Sequence, residues 1–292
     1  MKFHRVYIEL SNICGLSCTF CPPKSRPNHT MPLEFFENIL LQLKPYTKEL
    51  AYHIVGDPLV LSNLDAYLDR THQHGFRVML TTSGYFLHKK ELHTLLHPAI
   101  KQINISLNSY NKNNMPLSFE AYMQPIVGLC HLKQTMRKSL FINLRIWNMD
   151  EAQSEKIFNT SLFAYLEKTF GTSLHVNTIY QEKPKSIRLD EKILLHFDNY
   201  FEWPSLEKES LTHGTCQGLD SHFGILSDGR VVPCCLDKDG IITLGDLHVN
   251  TLESILQNKQ TRSIIEGFKQ GLATEILCQK CTYKQRFNHE TL

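Results

Sequence analysis

Short alternating runs and longer apolar stripes take turns along the first 182 residues. Residues 5–10, 49–55, 76–82, 102–107, 140–146 and 174–180 are short and rich in β-formers, and each predicts a strand. Helical stripes fall between them. Residues 33–43 put Phe35, Phe36, Ile39, Leu40 and Leu43 on one face, behind Thr30 and Pro32 as start signals. Ser62 and Asp65 predict a capping box for a helix over 63–74. Residues 89–96, 118–134 and 151–168 supply further helices. Such alternation predicts a parallel sheet with right-handed crossovers, open or curled into an incomplete barrel.

The strands are not symmetric. One parity is apolar: Val6, Ile8 and Leu10 in the first, Ile103, Ile105 and Leu107 in the fourth, Ile142, Leu144 and Ile146 in the fifth. The other carries Tyr7 and Glu9, His53 and Asp57, Thr81 and Ser83, Asn104, Ser106 and Asn108, Asn143 and Arg145, then His175 and Asn177. A parallel sheet covered on both faces is apolar on both. The polar parity is therefore expected to line a cavity.

Composition adds limits. The chain has 292 residues, 42% hydrophobic and 21% charged, which is globular. A formal charge of +2 gives no basic field of the kind that nucleic acid attracts. No apolar run approaches the ~18 residues of a membrane helix. The N-terminus alternates like a strand and has no signal-peptide core, so a cytoplasmic location is expected. Nine cysteines in that compartment read as metal ligands or thiols rather than disulfides. Residues 1–182 form the first expected domain, 183–212 a linker with at most one helix, and 213–292 a small second domain holding five of the nine cysteines.

Cys14, Cys18 and Cys21 follow the first strand with the spacing C-x-x-x-C-x-x-C. Thiolates are soft ligands suited to iron–sulfur clusters, and three of them leave the fourth iron of a cubane open. A zinc knuckle lacking its fourth ligand is the competing reading. With Phe20 just before the last cysteine, the loop resembles that of the radical S-adenosylmethionine (AdoMet) superfamily. The resemblance implies a partial (β/α)6 TIM-like barrel. It also implies a 4Fe-4S cluster whose open iron binds AdoMet, and reductive cleavage to a 5′-deoxyadenosyl radical. It carries AdoMet contacts onto Gly56 and Asp57 after the second strand, Ser83 after the third, Ser106 and Asn108 at the fourth, and Arg145 on the fifth. Departures are Asp57, where the family has Glu, and Ser83, where it has Asn. Tyr7, Glu9, Asp57 and His53 are the acid/base candidates, with His175 beside them on the polar parity.

Cys216 and Cys234 bracket an expected hairpin turning at Ser227-Asp228-Gly229, and Cys278 and Cys281 form a C-x-x-C. Four thiols can close a site completely, either as a zinc ribbon or as a cluster. The Cys216, Gly229, Cys234 spacing resembles the SPASM and twitch auxiliary-cluster domains and implies a second, fully ligated 4Fe-4S cluster on Cys216, Cys234, Cys278 and Cys281. Cys235 is either a substitute ligand or a small buried hydrophobe, and Cys130 is expected in the core.

The resemblance implies an enzyme that oxidises or cross-links an unknown small molecule or peptide, passing an electron to the auxiliary cluster and drawing on a low-potential donor of flavodoxin or ferredoxin type. The competing readings are an RNA-modifying enzyme of the same superfamily, disfavoured by the charge, and a non-enzymatic electron carrier or redox sensor, which would not leave an iron open.

Overall fold

The computed structural model describes residues 1–23, 25–149 and 155–287. Its first elements in chain order are β1 (Arg5–Ile8), α1 (Leu33–Leu43), β2 (Glu49–Tyr52), α2 (Leu64–Gln73), β3 (Arg77–Thr82) and β4 (Ile100–Ser106). Then come α3 (Asn108–Asn111), α4 (Phe119–Thr135), β5 (Phe141–Ile146), α5 (Lys156–Phe170), α6 (Val176–Glu182), β6 (Ser186–Asp190) and β7 (Ile193–Phe197). The C-terminal part holds β8 (His222–Ile225), β9 (Arg230–Val232), β10 (Gly245–Asp246), α7 (Leu252–Gln257), α8 (Lys259–Lys269) and α9 (Ile276–Gln279).

The chain divides into two compact units. One comprises Met1–Gly15, Cys21–Val78 and Phe201–Leu292, the other Leu16–Phe20 and Met79–Tyr200. In the first unit the strand order is β10-β9-β8-β1-β2. β1 lies parallel to both β2 and β8, so the C-terminal segment extends the sheet that β1 begins. The apolar parity of β1 is buried, with Val6 and Ile8 at 0% exposure. The expected hairpin forms: β8 and β9 are antiparallel, with Ile225 opposite Val231. Gly229 turns it at φ +89°, and a Cβ there would fall 2.9 Å from the Phe35 ring. α1 begins after Pro32 and buries Phe36, Ile39, Leu40 and Leu43.

In the second unit the order is β3-β4-β5-β7-β6, with β4, β5 and β7 parallel and β6 antiparallel to β7. α4 starts on the Ser118 side chain, which accepts from the Ala121 N–H, and buries Tyr122, Met123, Ile126 and Leu129.

Four expectations need correction. The segment 174–180 is not a strand, because the chain turns into α6 at Val176 after His175. The β-rich composition misleads here: His175, Asn177 and Thr178 are exposed, and Leu174 and Ile179 are the buried residues of the segment. His175 and Asn177 therefore do not join the polar parity. The strand expected there is β7 instead, with an alternating burial pattern, inside the stretch read as a connection. α2 has no side-chain cap, its N-cap being Asn63. Residues 89–96 carry short 3-10 turns at Tyr85–Lys89 and Leu92–Leu96 rather than one helix. The predicted helix over 151–168 is seen from Lys156, and 151–154 lie outside the described residues.

Candidate functional site

In the first unit the loop after β1 is fixed before its first cysteine. Gly56 packs so closely on it that a Cβ there would lie 1.7 Å from the Ser11 carbonyl oxygen. Asp57 donates its N–H to the Ile13 carbonyl at 3.0 Å. The Asp57 carboxylate is buried and accepts from the Leu59 N–H at 3.0 Å, starting the turn Pro58–Val60. Cys14 is half-buried and Cys21 exposed. Glu9 is 1% exposed. Its two oxygens accept from Arg26 Nη2 at 2.8 and 2.7 Å, and Oε2 also accepts from the Ser227 N–H at 3.0 Å. Arg26 in turn donates to the Lys238 carbonyl. The carboxylate read from sequence as an acid/base candidate thus sits in a buried ion pair that ties β1 to the turn after β8.

Tyr7 stands edge-on to His222 at 5.4 Å and is hydrogen-bonded to Cys235. Burial, then the Cys235 charge, push its phenol far up, so it stays protonated. Cys235 packs with Tyr7 and Val55 against Ile54, Leu226 and Val232, and burial pushes its thiol up to about 12. Cys130, fully buried in α4, is likewise pushed to about 12 by burial. His53 is half-buried just past β2.

The second unit holds Cys18 and Phe20. Cys18 is 8% exposed, and its Sγ accepts a hydrogen bond from Asn113 Nδ2 at 2.8 Å. The Phe20 ring stacks on Tyr200 at 5.4 Å. Ser83 is buried; its Oγ accepts from the Tyr85 N–H and its carbonyl from the Tyr122 hydroxyl at 2.7 Å. Asn108 is buried as well. Its Oδ1 accepts from the Trp147 N–H at 2.7 Å and its Nδ2 donates to Glu155 and Asn111.

Glu155 is a hub that the sequence reading missed. Its carboxylate accepts from Asn148, Asn111, Asn108, Lys112 and the Tyr200 hydroxyl. Burial alone would raise its pKa, but the hydrogen bonds from Asn148, Lys112 and Asn111 hold it below the usual value. Nothing in spacing marks Glu155; only the fold brings three asparagines to it.

The polar parity persists across this unit. Asn104 donates to Thr81 Oγ1 at 3.2 Å and accepts from Asn143 at 3.1 Å. One step along, Ser106 pairs with Arg145 and Arg145 with His196. The Arg145 guanidinium lies 5.4 Å over the Trp147 ring. His196 falls in the expected linker, although the alternation of Ile193, Leu195 and Phe197 marks its strand. Burial, then the Arg145 charge, lower its pKa, so the imidazole is neutral at pH 7. Its Nδ1 and the Asn143 Oδ1 are buried without a hydrogen-bond partner in the structure.

The four C-terminal thiols belong to the first unit. The Gly218 N–H donates to Cys216 Sγ at 3.4 Å, and a Cβ on Gly218 would lie within 3.7 Å of both Cys216 Sγ and Cys234 Cβ. Burial raises all four thiols. Proximity adds to it: Cys216 and Cys278 raise Cys234, and Cys216 and Cys281 raise Cys278. Lys284, 2% exposed, donates to the carbonyls of Cys278, Gln279 and Cys281 at 2.9, 3.1 and 3.0 Å. Among the described residues no three His, Cys, Asp or Glu side chains meet tightly enough to hold a single ion.

The family model "Radical SAM superfamily" matches residues 8–165, more than half of the chain. The chain belongs to the radical SAM superfamily. An "Iron-sulfur cluster-binding domain" model, SPASM, matches residues 216–282. The S-adenosyl-L-methionine-dependent 2-deoxy-scyllo-inosamine dehydrogenase of Niallia circulans is 25% identical over 118 residues, 38% of this chain and 47% of that protein. The GTP 3′,8-cyclase of Aquifex aeolicus is 30% identical over 112 residues, 36% and 35% of the two chains. The matched stretches therefore span less than half of these curated relatives. Among solved structures, BtrN in complex with AdoMet and 2-DOIA aligns over 97% of this chain and 94% of its own, with TM-score 0.62 and 16% identity. Streptococcus suis SuiB bound to precursor peptide SuiA aligns over 99% and 74%, with TM-score 0.58 and 15% identity. These likenesses show the fold, the α/β radical SAM core with a cysteine-bearing SPASM segment that the sequence led us to expect.

A radical SAM protein uses a 4Fe-4S cluster and AdoMet, and its SPASM domain binds auxiliary iron–sulfur clusters. The residues fit both. Four half-buried cysteines, two of them with backbone carbonyls held by one buried ammonium, are a soft thiol donor set of the number a fully ligated 4Fe-4S cluster needs. In the other loop Cys18 sulfur already accepts a fixed N–H. Among the described residues no helix is long and apolar enough to cross a membrane.

Proposed function

We propose that this radical SAM protein removes two electrons from a small hydroxylated substrate. The observation that carries the reading is the C-terminal set Cys216, Cys234, Cys278 and Cys281: Gly218 packs against both Cys216 and Cys234, and the Lys284 ammonium holds the carbonyls of Cys278 and Cys281, and four such thiols would make a closed ligand set, suited to accept an electron and not to bind substrate. Cys14, Cys18 and Cys21 are the ligands of the first cluster in this reading. Bound there, cluster and AdoMet supply a 5′-deoxyadenosyl radical that takes a hydrogen atom from substrate, and the auxiliary cluster supplies the acceptor for the second electron.

The protein's own groups do the rest. Arg145 offers a fixed cation with planar donors to a substrate oxygen, and Asn143 Oδ1 is a buried acceptor without a partner. The neutral His196 imidazole takes the hydroxyl proton as the carbon–oxygen double bond forms. Hydrogen atom, proton and electron then each have a destination. The family resemblance would give Gly56, Asp57, Ser83, Ser106 and Asn108 contacts to AdoMet, and Glu9 with Arg26 holds β1 in place. The dehydrogenase similarity supports an alcohol-oxidising reading; a ferredoxin or flavodoxin is the donor class we propose.

The test is anaerobic turnover of the reconstituted chain with 2-deoxy-scyllo-inosamine and other cyclitols, C-deuterated at each carbinol. We expect alcohol-dependent 5′-deoxyadenosine carrying deuterium, together with a ketone product. Deuterium transfer from peptides, with none from any alcohol, would refute the small-substrate reading.

A further inference from the structure

We propose that Asn113 sets the reduction potential of the AdoMet-binding cluster through an N–H···S hydrogen bond to Cys18; this rests on the reading above that Cys18 is a cluster ligand. The carboxamide is held at three points. Oδ1 accepts from the Ser17 N–H at 2.9 Å, and Nδ2 donates to the Ser109 carbonyl at 2.8 Å and to Cys18 Sγ at 2.8 Å. These partners decide which way the amide faces. A flipped side chain would set its NH2 against the Ser17 N–H and its oxygen against both the Ser109 carbonyl and the sulfur. The donor therefore points at the thiolate by construction.

The platform beneath it is firm. The Thr19 N–H donates to the Lys112 carbonyl at 3.2 Å, so residues 17, 18 and 19 are all fastened to residues 112 and 113. Asn111 and Lys112 are in turn bound to the Glu155 carboxylate. That carboxylate also accepts from Tyr200, on whose ring Phe20 stacks. No part of this platform is needed for ligation itself, which three thiolates perform alone. It is needed if the donor must keep a fixed aim.

The consequence is electrostatic. Reduction adds one negative charge to a cluster whose charge spreads onto its sulfurs. An N–H dipole aimed at one sulfur stabilises the reduced state more than the oxidised one and raises the potential. Asn113 is thus a positioning residue that also makes the first electron easier to deliver.

The experiment is anaerobic redox titration, followed by electron paramagnetic resonance, of the reconstituted full chain. It reads the signal that changes when AdoMet is added. Asn113→Leu and Asn113→Ala both remove the donor without adding charge, and differ in the space they leave; Asn113→Gln restores an amide. We expect the two donor-less variants to retain their iron and to hold about tenfold less reduced cluster at a given potential. For a one-electron couple this is a shift of about 59 mV to more negative values. We expect Asn113→Gln to recover part of it. An unchanged potential and spectrum in whichever donor-less variant keeps its irons overturns the proposal. Loss of the cluster from both would also overturn it, because Asn113 would then serve assembly alone. Cys18→Ala separates this from the underlying reading: it should cost about four irons, and full iron retention would sink the ligand assignment rather than the role of Asn113.

Discussion

Arg26 and Glu9 meet where neither side chain has appreciable contact with water, at 9% and 0% exposure. A buried pair of this kind is weak evidence of net stabilisation, but breaking it from one side strands a charge. Arg26→Ala should therefore lower the unfolding free energy by about 3–5 kcal/mol, measured by urea denaturation of the apo chain. Arg26→Met together with Glu9→Gln should cost much less, since no charge is left behind. If the single variant cost no more than the double, the pair would not be buried as described. His222 makes a pH argument. Burial, then the Arg5 charge, hold it at about 4 in the folded chain, against 6.5 when free. Above pH 6.5 both states are neutral and the group contributes nothing to the pH slope. As pH falls from 6.5 toward 4 the unfolded chain takes up a proton that the folded chain refuses, and stability drops by up to about 3 kcal/mol. His222→Gln should flatten that part of the pH–stability curve relative to the parent. Curves that run parallel would remove His222 as the cause.

At the level of elements, α3 and the start of α5 depend on one carboxylate. Glu155 gathers side chains from residues 108, 111, 112, 148 and 200, so Glu155→Ala would leave several buried donors unpaired, each costing about 1–3 kcal/mol. Hydrogen exchange should speed up at residues 108–113 and at Trp147 by at least tenfold, with α1 and α2 unaffected; uniform change across the chain would mean global destabilisation instead. This hub also shows where sequence reasoning stops. Strands β1 to β5, α1 and the β8–β9 hairpin could be read because their signals are local: a two-residue alternation, a stripe, an Asp-Gly turn. The C-terminal segment could be read as an iron–sulfur domain because its cysteine pattern resembles SPASM, and a SPASM model matches residues 216–282. Leu174–Tyr180 misled because β-branched and aromatic residues say only that a surface suits a sheet, and no neighbouring strand was there to receive them. β7 alternates at Ile193, Leu195 and Phe197, but Pro184 and the nearby charges favour a connection in the sequence. Glu9 looked like chemistry because it lies on the polar parity; its partner Arg26 is 17 residues away and only the fold brings the two together. Asn113 and Glu155 could not be found at all, since an asparagine or glutamate in a loop has no sequence signal until its partners are known.

For the whole molecule, two thiol sets imply two separable jobs. If Cys14, Cys18 and Cys21 carry the cluster that cleaves AdoMet and the C-terminal thiols carry only an electron acceptor, then the jobs should come apart on mutation. The parent chain, reconstituted without oxygen, should bind about eight irons. Changing Cys216 and Cys278 together to Ala should remove about four of them and abolish the oxidised product, while 5′-deoxyadenosine still forms from AdoMet in the presence of reductant. Substrate radicals made by that variant would have no acceptor, so deuterium from the substrate should return to it or appear in reduced side products. Lys284→Met supplies a milder lesion. It deletes the buried ammonium that holds the Cys278, Gln279 and Cys281 carbonyls, so it should loosen the C-terminal irons and lower the potential of the auxiliary cluster, without touching AdoMet cleavage. Were the double variant to retain every iron, or to lose AdoMet cleavage along with the product, the C-terminal thiols would not be an independent acceptor. The reaction would then have to be redox-neutral, with the C-terminal domain serving as a structural platform.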